Sequence, residues 1–373
     1  MTLFAPCLAS FMLTAVLTPI VIYLATLFGC VDSPGERRLH SKVTPRGGGL
    51  AFFAGVLPMV LQQNGGRTLA WYLVGSALLV GLGMVDDLRP LGWKSKFSVM
   101  FLAATVVIFG GQVCVLRLGL YGALGQVELG WFAIPFTYLS IIGIVNAINL
   151  LDGLNGLAGG VSLLAFLFMG LAALASGNLP LAAVCFSFVG ALGAFLLYNF
   201  PHAKIFMGDT GSLFLGFSLA VTAIMLTQGP RARVDPLFPV LLLLTPIFDT
   251  VRVLSVRLSQ GKNPFKADNL HLHYLMVLNR ISPVRATLLF WMVTTLLGAV
   301  ALYLTSKSST AYLMVVLYAS SVLGLFAWSL SQGAGEPAAS HPRTPAAGLL
   351  EADAAALSDM KLAGSPLGAE ERM

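Results

Sequence analysis

Residues 132–175 read FAIPFTYLSIIGIVNAINLLDGLNGLAGGVSLLAFLFMGLAALA. Two helix-length apolar stretches, 132–149 and 157–175, flank a short polar turn carrying Asp152, Gly153, Asn155 and Gly156. About 20 apolar residues in α-helix cross the roughly 30 Å hydrocarbon core of a bilayer. The glycines mark where the first helix must break. The same pattern recurs outward in both directions: 3–28, 47–63, 69–85 and 97–110 precede it, and 180–198, 213–227, 236–256, 285–305 and 310–330 follow. Of the 373 residues, 57% are hydrophobic and 10% charged, against about 25% charged in a soluble domain. The expected fold is all-α, a polytopic integral membrane protein of about eleven transmembrane helices. One transmembrane domain, 1–330, accounts for it.

An odd number of crossings puts the two termini on opposite sides. Fourteen Lys and Arg residues between 37 and 285 fall in alternate connections, whereas the opposite connections hold only Arg67, Arg117, Arg231, Arg233 and Lys307. Basic loops stay on the cytoplasmic side, so the N-terminus is expected outside and the C-terminus inside. Residues 113–130 alternate apolar and polar around glycines and read as a small external β-hairpin. Residues 331–373 are rich in Ala, Gly, Pro and Ser with no apolar period, the composition of a disordered cytoplasmic tail. The first stretch lacks a basic leading segment and reads as a retained helix. Cys7, Cys30, Cys114 and Cys185 are scattered and read as small apolar residues. The net charge of +6 fits basic membrane loops and anionic ligands, with no nucleic acid implied.

Acidic residues follow the same asymmetry. Asp32, Glu36, Asp86, Asp87, Asp152, Asp209, Asp249 and Asp268 fall on the expected cytoplasmic side, several of them at the ends of apolar stretches, and only Glu128 and Asp235 fall on the other. Asp86 and Asp87 end the third stretch. Consecutive helical residues point about 100° apart, so one is expected to face a site while the other holds a loop. Lys94 and Lys96 follow, placed either to reach phosphate or to anchor in headgroups. Asn149 and Asp152 share a helical face, and Asn155 lies beyond the glycine break. Such amides and carboxylates serve as Mg²⁺ ligands or base-edge contacts, or as helix caps. Asp209 stands between two glycines in FMGDTGS, a hard-ligand position or an N-cap. His271 and His273, two apart in NLHLHYL, are able to share one side of an extended loop. Zinc is disfavoured there, with no Cys or third His nearby.

Taken in order, these segments resemble the polyprenyl-phosphate N-acetylhexosamine-1-phosphate transferase family, and the WecA-type enzymes more than the MraY type. The resemblance runs from about residue 30 to 280. It rests on DSPGERRLHSKVTPRGGG, the Asp86-Asp87 pair, NxxNxxDGxxGLA, FMGDTGS, PIFD ending at Asp249 and NPFxxDxxHxH. It implies a phosphotransferase of the bacterial inner membrane, dependent on Mg²⁺ with Mn²⁺ as a substitute, that takes a UDP-sugar and a polyprenyl phosphate. A homodimer is compatible with it. It further implies Asp86, Asp87 and Lys96 as catalytic, Asp209 and Asn149 as metal-binding, and Arg37, His40, Asn146, Asp152, Asn155, His271 and His273 as substrate-binding.

Two positions depart from the family. Many bacterial members read DGxDG where this chain has Asn155, and Tyr274 replaces the last His of HxHH. The resemblance points to GlcNAc 1-phosphate as the transferred group, with FucNAc, QuiNAc or GalNAc derivatives as alternatives. A transporter would show internal repeats and charges near mid-membrane, and neither is present. An inactive binding protein would be expected to lack Asp86, Asp87 or Asp209.

Overall fold

The computed structural model describes residues 4–32, 43–63, 66–228, 234–261 and 270–333. Arg37 and His40, most of the 262–275 loop, and the tail beyond Gly333 lie outside the described residues. The chain divides into two units, Met1–Leu330 and Ser331–Met373.

Every one of the eleven apolar stretches is helical. In chain order the elements are α1 (Phe4–Leu27), β1 (Val31–Asp32), β2 (Thr44–Pro45), α2 (Gly49–Leu61), α3 (Gly66–Leu88) and α4 (Trp93–Thr105). Next come β3 (Arg117–Leu120), β4 (Gln126–Glu128), α5 (Ala133–Leu151), α6 (Leu157–Ala175), α7 (Leu179–Asn199) and α8 (Gly208–Gln228). The remainder are α9 (Leu237–Leu242), α10 (Leu244–Ser259), α11 (Leu272–Leu278), α12 (Pro283–Tyr303) and α13 (Ser309–Gly333). Among the described residues nine helices are long and apolar enough to cross a membrane. Two of the eleven stretches differ from a simple span. The second gives a 13-residue helix, α2. The ninth splits at Leu243 into α9 and α10. Pro246 then falls in the first turn of α10, where its missing N–H leaves no intrahelical bond unmade.

The fold is organised around α8. Of its span, 94% is buried, against 11% for the α13 span. A helix apolar on all sides belongs in the centre of a bundle. Small residues let its neighbours approach: a Cβ on Gly49 would lie 2.2 Å from Cα of Gly211, and one on Gly83 2.3 Å from Cα of Thr210. Close backbone contact of this kind replaces hydrophobic drive inside a membrane. α1 and α13 lie at the periphery with exposed large apolar side chains such as Met12, Val16, Met314 and Leu317.

At its C-terminal end α8 holds the hairpin β3–β4. Gln228 Oε1 accepts the amides of Leu116 (3.0 Å) and Arg117 (3.1 Å), and its Nε2 donates to the Arg117 carbonyl (3.0 Å). The strands pair antiparallel, Arg117 opposite Glu128, as the alternating pattern of 113–130 suggests. With 1.5 Å rise per residue, the first turn of α8 lies about 30 Å away, on the opposite face. There the C-terminal ends of α3, α5 and α7 meet the N-terminal ends of α4, α6 and α12.

Candidate functional site

The first turn of α8 carries Asp209, and three helices supply its partners. Lys96, in the first turn of α4, places Nζ 2.6 Å from Asp209 Oδ2 and 2.8 Å from Asp86 Oδ2. Asn149, in the last turn of α5, donates from Nδ2 to Asp209 Oδ1 (3.2 Å) and to Ser212 Oγ (2.8 Å). Asp87 accepts the Asp209 amide at Oδ1 (2.9 Å), and its Oδ2 accepts the Thr210 amide (3.1 Å) and hydroxyl (2.6 Å). Asp87 therefore caps α8 from another helix, satisfying amides that no intrahelical carbonyl reaches. A Cβ on Gly208 would lie 2.3 Å from Asp87 Oδ2, and Gly208 has φ +70°. Both facts require glycine there.

The adjacent acids thus separate as helical geometry demands. Asp86 holds the loop, accepting the Leu91 amide at 2.7 Å as well as Lys96. Asp87 caps α8 and also reaches the cavity wall.

That cavity has a volume of about 860 Å³. Asp87, Asn149, Asp152, Asn155 and Asp209 line it, with Asp32, Arg46, Asn199, His202, Lys204, Phe206 and Tyr274. Volumes of roughly 300–1,000 Å³ are those of small-ligand sites. Asp152 follows the last residue of α5, where the chain leaves helical geometry. It is partly open to the cavity, yet burial raises its carboxyl well above the ordinary range, and the charges of Asp209 and Asp87 raise it further. Arg46, paired with Asp32 at 2.8 Å, opposes that rise.

Three carboxylates on one wall, with their charges incompletely offset, suit a cation. Among the described residues no three His, Cys, Asp or Glu side chains form a cation cage. Mg²⁺ takes one or two carboxylates and keeps several waters, so Asp209 with Asn149 is a sufficient donor set. The Asn149 amide, rotated by 180°, offers Oδ1 in place of Nδ2.

Sequence expectations meet the geometry unevenly. Asp87, Asn149, Asp152, Asn155 and Asp209 converge on the cavity, and Lys96 stands directly behind Asp209. Asn155 donates to the Pro201 carbonyl at 3.0 Å. Asn146 is not brought to the cavity: it lies one turn earlier on α5 and donates to the Ile142 carbonyl at 2.8 Å. His271 and His273 are not on an extended loop. His271 occupies the N-cap position of α11 and His273 lies within the helix, the rings 5.9 Å apart. Both are buried and neither lines the cavity. Burial lowers His273 from its ordinary 6.5 to about 4.

Asn199 was not legible as a site residue. Its Oδ1 accepts the Gly156 amide (2.7 Å) and its Nδ2 donates to the Ile205 carbonyl (2.8 Å), tying the 152–156 turn to the 200–208 loop. The available signal was an amide ending an apolar stretch just before Phe-Pro. Behind the turn, Trp291 Nε1 and Thr287 Oγ1 of α12 donate to the carbonyls of Gly156 (3.1 Å) and Asn155 (3.2 Å). All four cysteines are free.

Comparison with known proteins gives a consistent set of relatives. The model for glycosyl transferase family 4 matches residues 69–227, a segment that runs from α3 to α8 and contains Asp86 through Asp209. A Bacillus subtilis (strain 168) protein named "Probable undecaprenyl-phosphate N-acetylglucosaminyl 1-phosphate transferase" is 33% identical over 316 residues, 83% of this chain and 86% of its own. The undecaprenyl-phosphate alpha-N-acetylglucosaminyl 1-phosphate transferase of Salmonella typhi is 28% identical, covering 80% of this chain and 83% of its own. Its counterpart in Escherichia coli (strain K12) is 26% identical, covering 74% and 77%.

Proposed function

The chain belongs to the polyprenyl-phosphate sugar-1-phosphate transferases of glycosyl transferase family 4, and from that premise we propose that it moves GlcNAc 1-phosphate from UDP-GlcNAc to undecaprenyl phosphate, releasing UMP. The observation that carries this reading is the convergence of Asp209, Asn149, Asp152 and Asn155 on one cavity at one end of the spanning helices, at the level of a membrane surface. A water-soluble nucleotide sugar and a lipid phosphate have to meet at such a level. The site shares its face with the basic connections, which supports a cytoplasmic site in the bacterial inner membrane.

In the proposed reaction a phosphate oxygen of the lipid attacks the sugar-bearing phosphorus of the donor. The bond from that phosphorus to the UMP oxygen breaks, and a new phosphoanhydride replaces the old one. The lipid phosphate is already anionic, so no strong base is needed. The obstacle is repulsion, about 4 kcal/mol for two unit charges 4 Å apart at an effective dielectric of 20. Lys96, shared between Asp86 and Asp209, offsets part of their negative charge beside the cavity, and the α8 N-terminus adds its dipole. Mg²⁺ held by Asp209 and Asn149 would supply further neutralisation of the diphosphate and of the departing UMP. Asn155 has both amide donor and acceptor capacity to match the imide edge of uracil.

A second reading keeps the reaction and changes the sugar. Tyr274, on the cavity wall, is bulkier and less polar than the histidine usual at its position. That favours a 6-deoxy donor such as UDP-FucNAc or UDP-QuiNAc. The deciding experiment measures UMP release from a panel of UDP-sugars by purified protein with undecaprenyl phosphate. Preference for UDP-GlcNAc supports the first reading, and much better use of a 6-deoxy sugar replaces it with the second.

A further inference from the structure

We infer that Asp249 is a positioning residue for the donor side of the cavity, acting through the first turn of α11 to hold Tyr274 against the bound nucleotide sugar. This rests on the transferase reading above and assigns the motif loop a different division of labour from the one its histidines suggest.

Tyr274 lies on the wall formed with Asp152, Gly153, Leu154 and Asn155. His273 stands behind that wall. A Cβ on Gly153 would lie 2.2 Å from its Nε2, and its ring centroid is 4.3 Å from that of Tyr274. The histidine is thus packing between the 152–156 turn and the tyrosine. It leaves the tyrosine as the described aromatic of α11 that a ligand meets.

What fixes that tyrosine is upstream. α11 has seven residues, too few to be stable without tertiary support. Its first amide, from Leu272, donates to Asp249 Oδ1 at 2.9 Å, and His271 Nδ1 pairs with Asp249 Oδ2 at 2.9 Å. Arg252 Nη2 donates to Asp249 Oδ1 at 2.8 Å and also to the Leu270 carbonyl. Asp249 is 3% exposed and lies outside the cavity lining. One buried carboxylate on α10 therefore binds both the cap residue and the first turn of α11. Tyr274 is two residues further along. Loosening the clamp moves the tyrosine without touching substrate.

The test is a double-mutant cycle read in steady-state kinetics, with Tyr274→Ala, Asp249→Asn and the double variant. Tyr274→Ala is expected to raise the donor KM about ten-fold while the lipid KM changes less than about two-fold. Asp249→Asn should raise the donor KM by a similar factor in the natural background, but by less than about two-fold when Tyr274 is already alanine. If Asp249→Asn fails to insert, His271→Gln removes the ring contact alone and is read in the same cycle. Independent, multiplicative effects would overturn the inference, as would an unchanged donor KM in Tyr274→Ala. Absence of turnover with any UDP-sugar in the natural protein would instead overturn the transferase reading, and this inference with it.

Discussion

The carboxylate of Asp87 on α3 accepts the backbone amide of Asp209 at 2.9 Å, so the end of one membrane helix sets the start of another. With Thr210 also bound to Asp87, the first turn of α8 cannot shift without breaking three hydrogen bonds. The side chain of Asp209 is thereby aimed at Lys96 and Asn149.

Asp87 and Asp86 are accordingly expected to fail differently. Asp87→Asn retains one acceptor and loses the other, leaving α8 amides short of a partner. A lost cap costs about 0.5–2 kcal/mol, so thermal stability in detergent should fall together with turnover. Asp86→Asn should lower turnover with a smaller loss of stability, because Asp86 accepts one backbone amide, that of Leu91, where Asp87 accepts two at the start of α8. Equal stability losses in the two variants would contradict the capping role.

Asn155→Ala should raise the donor KM more than it lowers kcat. One lost hydrogen bond of about 1–2 kcal/mol corresponds to roughly 5–30-fold. An unchanged donor KM would move uracil recognition elsewhere on the cavity wall.

Asp152 carries a stability signature. Its carboxyl is raised above the ordinary 3.8 by burial first, then by Asp209 and Asp87. A raised carboxyl costs stability as pH climbs above that ordinary value, because the unfolded chain ionises more readily. At neutral pH Asp152→Asn should therefore raise the melting temperature of the metal-free protein. Added Mg²⁺ should stabilise the natural protein more than the variant. The same melting temperature and the same Mg²⁺ response in both would exclude a cation-neutralised cluster.

His273 gives the opposite slope. Burial depresses it from 6.5 to about 4, so stability is full above pH 6.5 and declines as pH falls toward 4. By pH 5 the loss is about 2 kcal/mol. Melting temperature against pH should show this decline, and His273→Gln should flatten it. A natural protein equally stable at pH 5 and pH 7 would contradict the neutral, packed histidine.

Much of this architecture is written locally. Each apolar stretch became helix because lipid leaves the backbone no other partner, and the polar residues at stretch ends gathered because those ends share a face. Asn149, Asp152 and Asn155 were legible for that reason, being close in sequence around the break at Gly153 and Gly156. The pairing of Asp87 with α8 was not, because 122 residues separate Asp87 from Asp209. The packing of α3 on α8 brings them together, with Gly83 against Thr210 and the Tyr72 hydroxyl on Ser218 Oγ. His271 and His273 looked like ligand contacts because two-residue spacing suits an extended loop. Asp249 instead nucleates a helix there and turns both rings inward. Asn146 shares a motif with Asn149, but one turn of helix is enough to carry it from the cavity.

The most direct measurement is the conversion of UDP-GlcNAc and undecaprenyl phosphate to UMP and lipid-linked GlcNAc diphosphate by the purified protein, with Asp209→Asn as its control. The account predicts that UMP and lipid product form in equal amounts, that a divalent cation is required, and that UDP-MurNAc-pentapeptide is inert. It also predicts that Asp209→Asn lowers turnover by about 10³-fold or more while the protein still inserts. Near-normal turnover in Asp209→Asn, or no UMP from any UDP-sugar with the natural protein, would contradict it.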